Sequence, residues 1–442
     1  MNKMIKYVMS LLMVMTLCLP NMQAQIVKNQ GNQDVLVNDA NPEQDEEVVE
    51  DSDDSDVADS TMVETIAANT LRLPWTETVK VGLDKLLKSK MFETSQVGIM
   101  VWDLEADSCI YRFRERQLMR PASTMKLVTA ITALDKLGGS YQFKTTLKYT
   151  GTIDNGVLKG DVYCIGGMDP RFNNDDMTAF VTSLKDMGVD SIQGSIYADR
   201  SMKDEDLLGE GWCWDDDNPV LSPLVFGRKD IFMERFLAKL KDAGIFYAGS
   251  GTSVKRCPAS AFTICTRFHT MDQILHKMMK DSDNLYAESM YYQIASSTGN
   301  RPASAKSARN VQRQLVRKIG LDPARYKFAD GSGLSLYNYV SAELEVKLLR
   351  YAYQDENILP HLKQSLPIAG VDGTLKRRMR SGFAHGNVKA KTGTVTGVIG
   401  LAGYCKAANG HDLCFSILNN GIMHSNNARS FADKVCELLC QP

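Results

Sequence analysis

Residues 388–418, VKAKTGTVTGVIGLAGYCKAANGHDLCFSIL, decide the architecture of this chain. They hold three runs with strand character, Val388–Lys391, Val398–Tyr404 and Asp412–Leu418, and a helical pattern from Asn427 to Cys440 closes the sequence. Far upstream, Gln96–Trp102 and Cys109–Phe113 alternate and are rich in β-branched and aromatic residues; joined through Glu105-Ala106-Asp107, they predict a hairpin. Pro121 then opens a helix that runs through Leu137 and is closed by Gly138-Gly139. A hairpin, a helix, a long excursion, three strands and a closing helix place the first and last parts of the chain in one antiparallel sheet covered by helices. The expected class is α+β, with a smaller module inserted into the sheet domain.

The excursion carries strand signals at Thr145–Tyr149, Val162–Ile165 and Ser191–Ala198, turns such as Asp154-Asn155-Gly156, and one helix near Met177–Met187. It reads as a mixed or β-rich module over residues 141–255, set between two parts of the main domain, 67–140 and 256–442. Helical periodicity dominates from Met271 to Tyr353, and no fixed-period repeat is present.

A chain of 442 residues is long enough for two or three domains, and 44% hydrophobic with 24% charged residues excludes a disordered or fibrous protein as a whole. The net charge of -2 hides an asymmetry: residues 25–66 hold 13 acids and one base, Lys28, which leaves the remainder at about +8 once the two lysines before it are also set aside. That balance suits an anionic partner such as cell-wall polymer. The lack of a basic run with interleaved aromatics sets nucleic acid aside. At the start, Lys3 and Lys6 precede an apolar run from Val8 to Leu19, then Pro20 and Met22-Gln23-Ala24, the order of a secretory signal. Residues 1–24 are therefore expected to be a cleaved signal peptide. No transmembrane anchor is expected after processing, because the run falls short of the roughly 20 residues a span needs. Residues 25–66, including NDANPEQDEEVVEDSDDSDVADS from Asn38 to Ser60, read as an acidic, solvated linker. Losing Cys18 leaves nine cysteines, an odd set without C-x-x-C, most of which read as small buried apolar residues. Scattered cysteines and six histidines without H-E-x-x-H imply no metal, and no organic cofactor is implied either.

Three short motifs follow in chain order: Ser123-Thr124-Met125-Lys126, Ser282-Asp283-Asn284 and Lys391-Thr392-Gly393. S-x-x-K alone says little, but all three in order are expected by composition in roughly one chain in a hundred or fewer. Ser123 and Lys126 lie three residues apart and project from one face of a helix start. A serine hydroxyl needs a base, and an amine can serve if burial beside a second cation, Lys391, lowers its pKa. The Ser123 and Thr394 N–H groups are candidate oxyanion donors. Gly393 keeps the strand open to an extended substrate, and the hydroxyls of Thr392 and Thr394 suit a substrate carboxylate. Ser282 can pass a proton to a leaving amine with Lys391, while Asn284 can orient a substrate amide. Asp330-Gly331-Ser332-Gly333 lacks the G-x-S-x-G elbow and reads as a tight turn, and the histidines read as surface or packing residues rather than a triad member.

These motifs are the active-site set of penicillin-binding proteins and class A β-lactamases. The chain most resembles the D-alanyl-D-alanine carboxypeptidase/endopeptidase family, the class C low-molecular-mass penicillin-binding proteins. The resemblance runs from about residue 90 to the end and includes Gly166-Gly167-Met168-Asp169-Pro170, Gly211-Trp212-Cys213-Trp214-Asp215-Asp216, Asp330-Gly331-Ser332-Gly333-Leu334-Ser335 and Gly370-Val371-Asp372-Gly373-Thr374-Leu375. It implies a β-lactamase/transpeptidase-like fold and a periplasmic location. It also implies cleavage of D-alanyl bonds in peptidoglycan stem peptides through an acyl-serine, with β-lactams as covalent inhibitors. By the resemblance Ser123 is the nucleophile, Lys126 the general base, and Ser282, Asn284 and Lys391 the supporting set; Asp169, in the inserted module, is a candidate substrate contact. Only 159 positions separate Ser123 from Ser282, fewer than in members whose insertion holds two extra domains, and Asp217–Ser222 stands where an aromatic segment is expected. One inserted domain is thus expected to be reduced, which favours carboxypeptidase over endopeptidase action. A β-lactamase is disfavoured because no E-x-x-x-N segment follows the Ser-Asp-Asn motif. The intact Ser123, Lys126 and Lys391 argue against a non-catalytic sensor of muropeptide or β-lactam.

Overall fold

The computed structural model describes residues 74–214, 218–248 and 253–442; the expected signal peptide and acidic linker lie outside them. The chain enters through α1 (Trp75–Leu86) and forms the hairpin of β1 (Gln96–Asp103) and β2 (Ser108–Phe113), then α2 (Met125–Leu137). Its last part adds β12 (Lys389–Val395), β13 (Val398–Lys406), β14 (Asp412–Asn420) and, as the tenth α-helix among the described residues, α10 (Ser425–Cys440). The five strands make one antiparallel sheet in the order β12-β13-β14-β1-β2, so the early hairpin and the late strands meet at the β14–β1 pair, Gln96 opposite Asn420 through Asp103 opposite Leu413.

The two-residue repeat of the strands sorts their side chains between two cores. Ile99, Val101, Phe415 and Ile417 face α1 and α10, where Phe431, Val435 and Leu439 recur at helical spacing and pack beside Val79 and Leu83. Full burial of each such side chain contributes roughly 1.5–3 kcal/mol. Met100, Ala402, Tyr404 and Leu418 face the other way, into a larger core built on α2. Covered on both faces, β13 is buried along all but its last residue, which explains its unbroken apolar run.

Between α2 and that larger core the chain makes its excursion. Strands β3 (Gln142–Tyr149), β4 (Thr152–Asp154), β5 (Val157–Lys159) and β6 (Val162–Ile165) precede α3 (Asn174–Asp186). Then come β7 (Ser191–Ile192), β8 (Ile196–Asp199), α4 (Phe232–Asp242), β9 (Phe246–Tyr247), β10 (Ser253–Val254) and β11 (Phe262–Thr270). They form a mixed sheet, β10-β8-β6-β3-β11, and a smaller one, β4-β5-β7-β9, around a core of their own.

Two expectations change here. The run Ser191–Ala198 splits into two strands in different sheets, and at the break Gly194 lies so close to the Gly160 carbonyl that a Cβ would meet it at 2.2 Å. The inserted sheet also does not stop at residue 255. Strand β11 pairs antiparallel with β3 from Phe262 opposite Tyr149 to Thr270 opposite Gln142, so the excursion leaves and returns through neighbouring strands.

The return delivers α5 (Met271–Lys280), capped by Thr270, and α6 (Asn284–Ser296), capped by Asp283. Helices α7 (Ala305–Lys318), α8 (Ala342–Tyr353) and α9 (Leu359–Ser365) complete the larger core. Among the described residues all nine cysteines are free, five of them buried, and no helix is long and apolar enough to cross a membrane.

Candidate active site

Ser123 does not sit in an α-helix continuous from Pro121. Residues Ala122–Thr124 form a 3-10 turn, Ala122 takes a positive φ of 48°, and α2 begins only at Met125. The reason is tertiary: Gly333, at φ 83°, presses on the Ala122 carbonyl, where a Cβ would sit 1.8 Å away. From below, the Thr124 hydroxyl lies 2.5 Å from Glu345 Oε1, and Ser416 donates to Glu345 Oε2 at 2.6 Å. Burial pushes the Glu345 carboxyl up to about 7 against those hydrogen bonds, which pull it down. The turn that carries Ser123 is thereby pinned to a buried carboxyl between α8 and β14.

Lys126 is fully buried, and its Nζ reaches three acceptors: Ser123 Oγ at 2.9 Å, Asn284 Oδ1 at 2.8 Å and the Ser332 carbonyl at 2.9 Å. Burial lowers its pKa to about 8, opposed by the negative charges of Asp330, Asp283 and Glu288. A neutral amine keeps two N–H bonds, which Asn284 and Ser332 can accept, and its lone pair then faces the serine hydroxyl. In this structure Asn284 Oδ1 accepts from Lys126, and its Nδ2 donors take no part in that contact.

Glu288 lies one turn beyond Asn284 on α6 and is also buried. It accepts hydrogen bonds from the Gly331 and Ser332 N–H groups at 3.0 and 2.7 Å, which aims the Ser332 carbonyl at Lys126. Burial, and next the charge of Asp330, push its carboxyl up to about 8. The segment read as a tight turn is thus a wall of the site. Asp330 secures it by accepting from Gly333 N, Ser335 N and the Trp212 indole.

On the opposite wall, β12 brings fully buried Lys391 to Ser282, with Nζ 2.8 Å from Ser282 Oγ and 2.8 Å from the Thr392 carbonyl. Ser282 occupies the short connection between α5 and α6 at φ 60°, a conformation rare outside glycine. Thr392 donates to Thr374 at 2.8 Å, so that hydroxyl is engaged, whereas Thr394 is exposed. Gly393 has a different reason from the one its position suggested. A Cβ there would lie 2.6 Å from the Pro121 carbonyl, 3.1 Å from Thr124 N and 3.2 Å from Ser123 N. Glycine is needed for β12 to lie against the Ala122–Thr124 turn. Gly393→Ala is expected to push the two apart, destabilising the fold by about 1–3 kcal/mol. The same displacement should lower the acylation rate by about a hundredfold. Stopped-flow acylation and a thermal melt measure the two effects.

The structure brings together Ser123, Lys126, Ser282, Asn284, Lys391, Thr392, Gly393 and Thr394 but leaves Asp169 out. Asp169 is 1% exposed, with Oδ2 2.7 Å from His269 Nδ1 and Oδ1 accepting from Arg171 N at 3.0 Å. That carboxylate fastens the loop after β6 to β11 inside the inserted module. Glu288, Glu345 and the Ser332 carbonyl were not singled out from the sequence. Glu288 had a signal, four residues after Asn284 on one helix face, whereas a carbonyl has none.

The model for the D-Ala-D-Ala carboxypeptidase 3 (S13) family matches residues 79–226 and 224–441. The D-alanyl-D-alanine carboxypeptidase DacB of Haemophilus influenzae is 26% identical over 419 residues, covering 76% of this chain and 87% of that protein. The D-alanyl-D-alanine carboxypeptidase of an Actinomadura species is 27% identical over 446 residues, covering 79% and 82%. Among solved structures, penicillin binding protein 4 from Haemophilus influenzae in complex with a β-lactam superposes with a TM-score of 0.69 at 25% identity, covering 80% of this chain and 97% of that one.

Proposed function

The chain belongs to the D-Ala-D-Ala carboxypeptidase 3 (S13) family, and from that premise we propose that this serine carboxypeptidase cleaves the terminal D-alanyl bond of peptidoglycan stem peptides with Ser123 as nucleophile and Lys126 as general base. One observation carries the assignment: the Lys126 amine is 2.9 Å from Ser123 Oγ, with acceptors at its other two contacts. Neutral Lys126 takes the hydroxyl proton as Ser123 Oγ attacks the carbonyl carbon, and the N–H groups of Ser123 and Thr394 receive the developing oxyanion. The peptide C–N bond then breaks. Ser282 gives its proton to the departing D-alanine amine and is resupplied from Lys391, to which it is hydrogen-bonded. Once D-alanine has left, the proton held by Lys126 passes to Ser282 and Lys391, which restores the neutral amine; Lys126 then takes a proton from the water that attacks the acyl carbonyl and hands it to Ser123 Oγ as the ester C–O bond breaks. The exposed Thr394 hydroxyl is the remaining candidate for the substrate's terminal carboxylate, since Thr392 is held by Thr374.

The same serine is the site at which β-lactams acylate the enzyme. The signal-like residues 1–24 support work in the periplasm, and the short insertion supports removal of terminal D-alanine over cleavage of cross-links. D-Alanine release from a peptide ending in D-Ala-D-Ala, followed with D-amino-acid oxidase, should be present and abolished by stoichiometric penicillin. Absence of both release and covalent penicillin label sinks the reading. Rapid penicillin turnover without accumulated label turns it toward a β-lactamase.

A further inference from the structure

Among the described residues, the inserted module reaches the Ser282–Asn284 loop through Arg228, a side chain that no motif includes. Phe226-Gly227-Arg228-Lys229 is a tight hairpin turn, with Phe226 N donating to Lys229 O at 3.0 Å and Lys229 N to Phe226 O at 3.1 Å. Gly227 and Arg228 have φ of 53° and 64°, the paired left-handed conformations of a type I′ turn. Glycine adopts this freely, but an arginine there is uncommon and is held in place by its surroundings. Here Val220 N donates to the Arg228 carbonyl at 3.2 Å, and Asp230 is bound to Arg200 by two hydrogen bonds of 2.9 Å.

The turn aims Arg228 at the middle residue of Ser282-Asp283-Asn284. Its Nη1 lies 3.1 and 3.0 Å from the two carboxylate oxygens of Asp283. Asp283 Oδ1 also caps α6, accepting from Leu285 N at 2.9 Å and Tyr286 N at 3.4 Å. The Asp283 side chain is only 7% exposed, so its charge needs a partner, and Arg228 supplies a partly exposed cation. On either side of Asp283 stand the two groups that serve the lysines: Ser282, at φ 60°, against Lys391, and Asn284 against Lys126. A loop with a left-handed residue and a buried carboxylate holds this shape only while that carboxylate is held.

We propose that Arg228 is a positioning residue through which the inserted module sets the Ser282–Asn284 loop for catalysis. The inference rests on the catalytic reading above. It assigns the module a mechanical part in the reaction, separate from any contact with substrate. Arg228 touches no reacting atom; it acts through Asp283.

The test uses the full chain in four forms: wild type, Arg228→Ala, Asp283→Asn and the double variant, with Arg228→Lys as the conservative control. Asparagine still caps a helix, so Asp283→Asn keeps α6 while removing the charge that Arg228 grips. Arg228→Ala is expected to lower the penicillin acylation rate and kcat on a D-Ala-D-Ala peptide by about 10–100-fold, the scale of a misplaced catalytic group, with KM changed less than about twofold. Arg228→Lys should recover most of the loss. In the Asp283→Asn background the Ala substitution should cost little more, because both changes break one contact. Acylation by Arg228→Ala within about twofold of wild type overturns the proposal, as does a full additional loss in the Asp283→Asn background. A wild type that neither takes label nor releases D-alanine defeats the catalytic reading instead, so the two failures are distinguishable.

Discussion

Ser123→Ala is expected to abolish covalent labelling by penicillin and to cut D-alanine release by about a millionfold, the scale seen when a nucleophile is removed from a site acting as a unit. The hydroxyl is half-buried at the tip of the 3-10 turn, and its structural contribution is one hydrogen bond with Lys126. What holds the turn lies elsewhere: the Thr124–Glu345 hydrogen bond, the close approach of Gly333 to Ala122 and that of Gly393 to Pro121. Stability should therefore change by less than about 1 kcal/mol. Intact mass after incubation with penicillin reads the first effect and a thermal melt the second. Label that persists in the variant would move the nucleophile to another side chain, Ser282 being nearest in chemistry.

Lys126→Met should lower the acylation rate by about 10³–10⁴-fold, the upper range for loss of a positioned base. Methionine keeps the length and apolar stem that the buried site accommodates. It leaves Asn284 Oδ1 and the Ser332 carbonyl without their donor, at a cost of about 1–3 kcal/mol each. The sign of the pH dependence follows from the amine. Only neutral Lys126 has a lone pair for the Ser123 proton, and its pKa, lowered by burial, is about 8. The wild-type acylation rate should rise through pH 8 and fall about tenfold for each unit below it. In Lys126→Met that limb should vanish. Glu288, raised to about 8 by burial, titrates in the same interval, so the apparent midpoint of the limb belongs to the coupled pair, while the limb itself requires Lys126. A wild-type profile flat from pH 6 to 9 would remove Lys126 from the role of base.

The hairpin at 96–113, helix α2, the three strands of 388–418 and the closing helix were legible because each is set by a local period. The apolar positions 428, 431, 432, 435, 436 and 439 mark one helix face however the rest of the chain folds. Strand β11 was missed because it depends on a partner. Only pairing with β3 makes Phe262–Thr270 a strand, and most of its residues are exposed or half-buried, which blurs the alternation.

In the same way, the sequence by itself determined the chemical inventory: a serine three residues from a lysine, a Ser-Asp-Asn loop between helices, and a Lys-Thr-Gly strand that can border a cleft. Those are short-range facts, fixed by 3.6-residue and two-residue geometry. The tertiary structure decided what each group is for. The Lys126–Ser332 contact spans 206 positions and Arg228–Asp283 spans 55. The acceptor in the first is a backbone carbonyl, identical in every residue, and it acquires a role only from where packing puts it. Burial likewise belongs to the whole fold. It lowered the pKa of the Lys126 amine to about 8, and it closed Asp169 against His269.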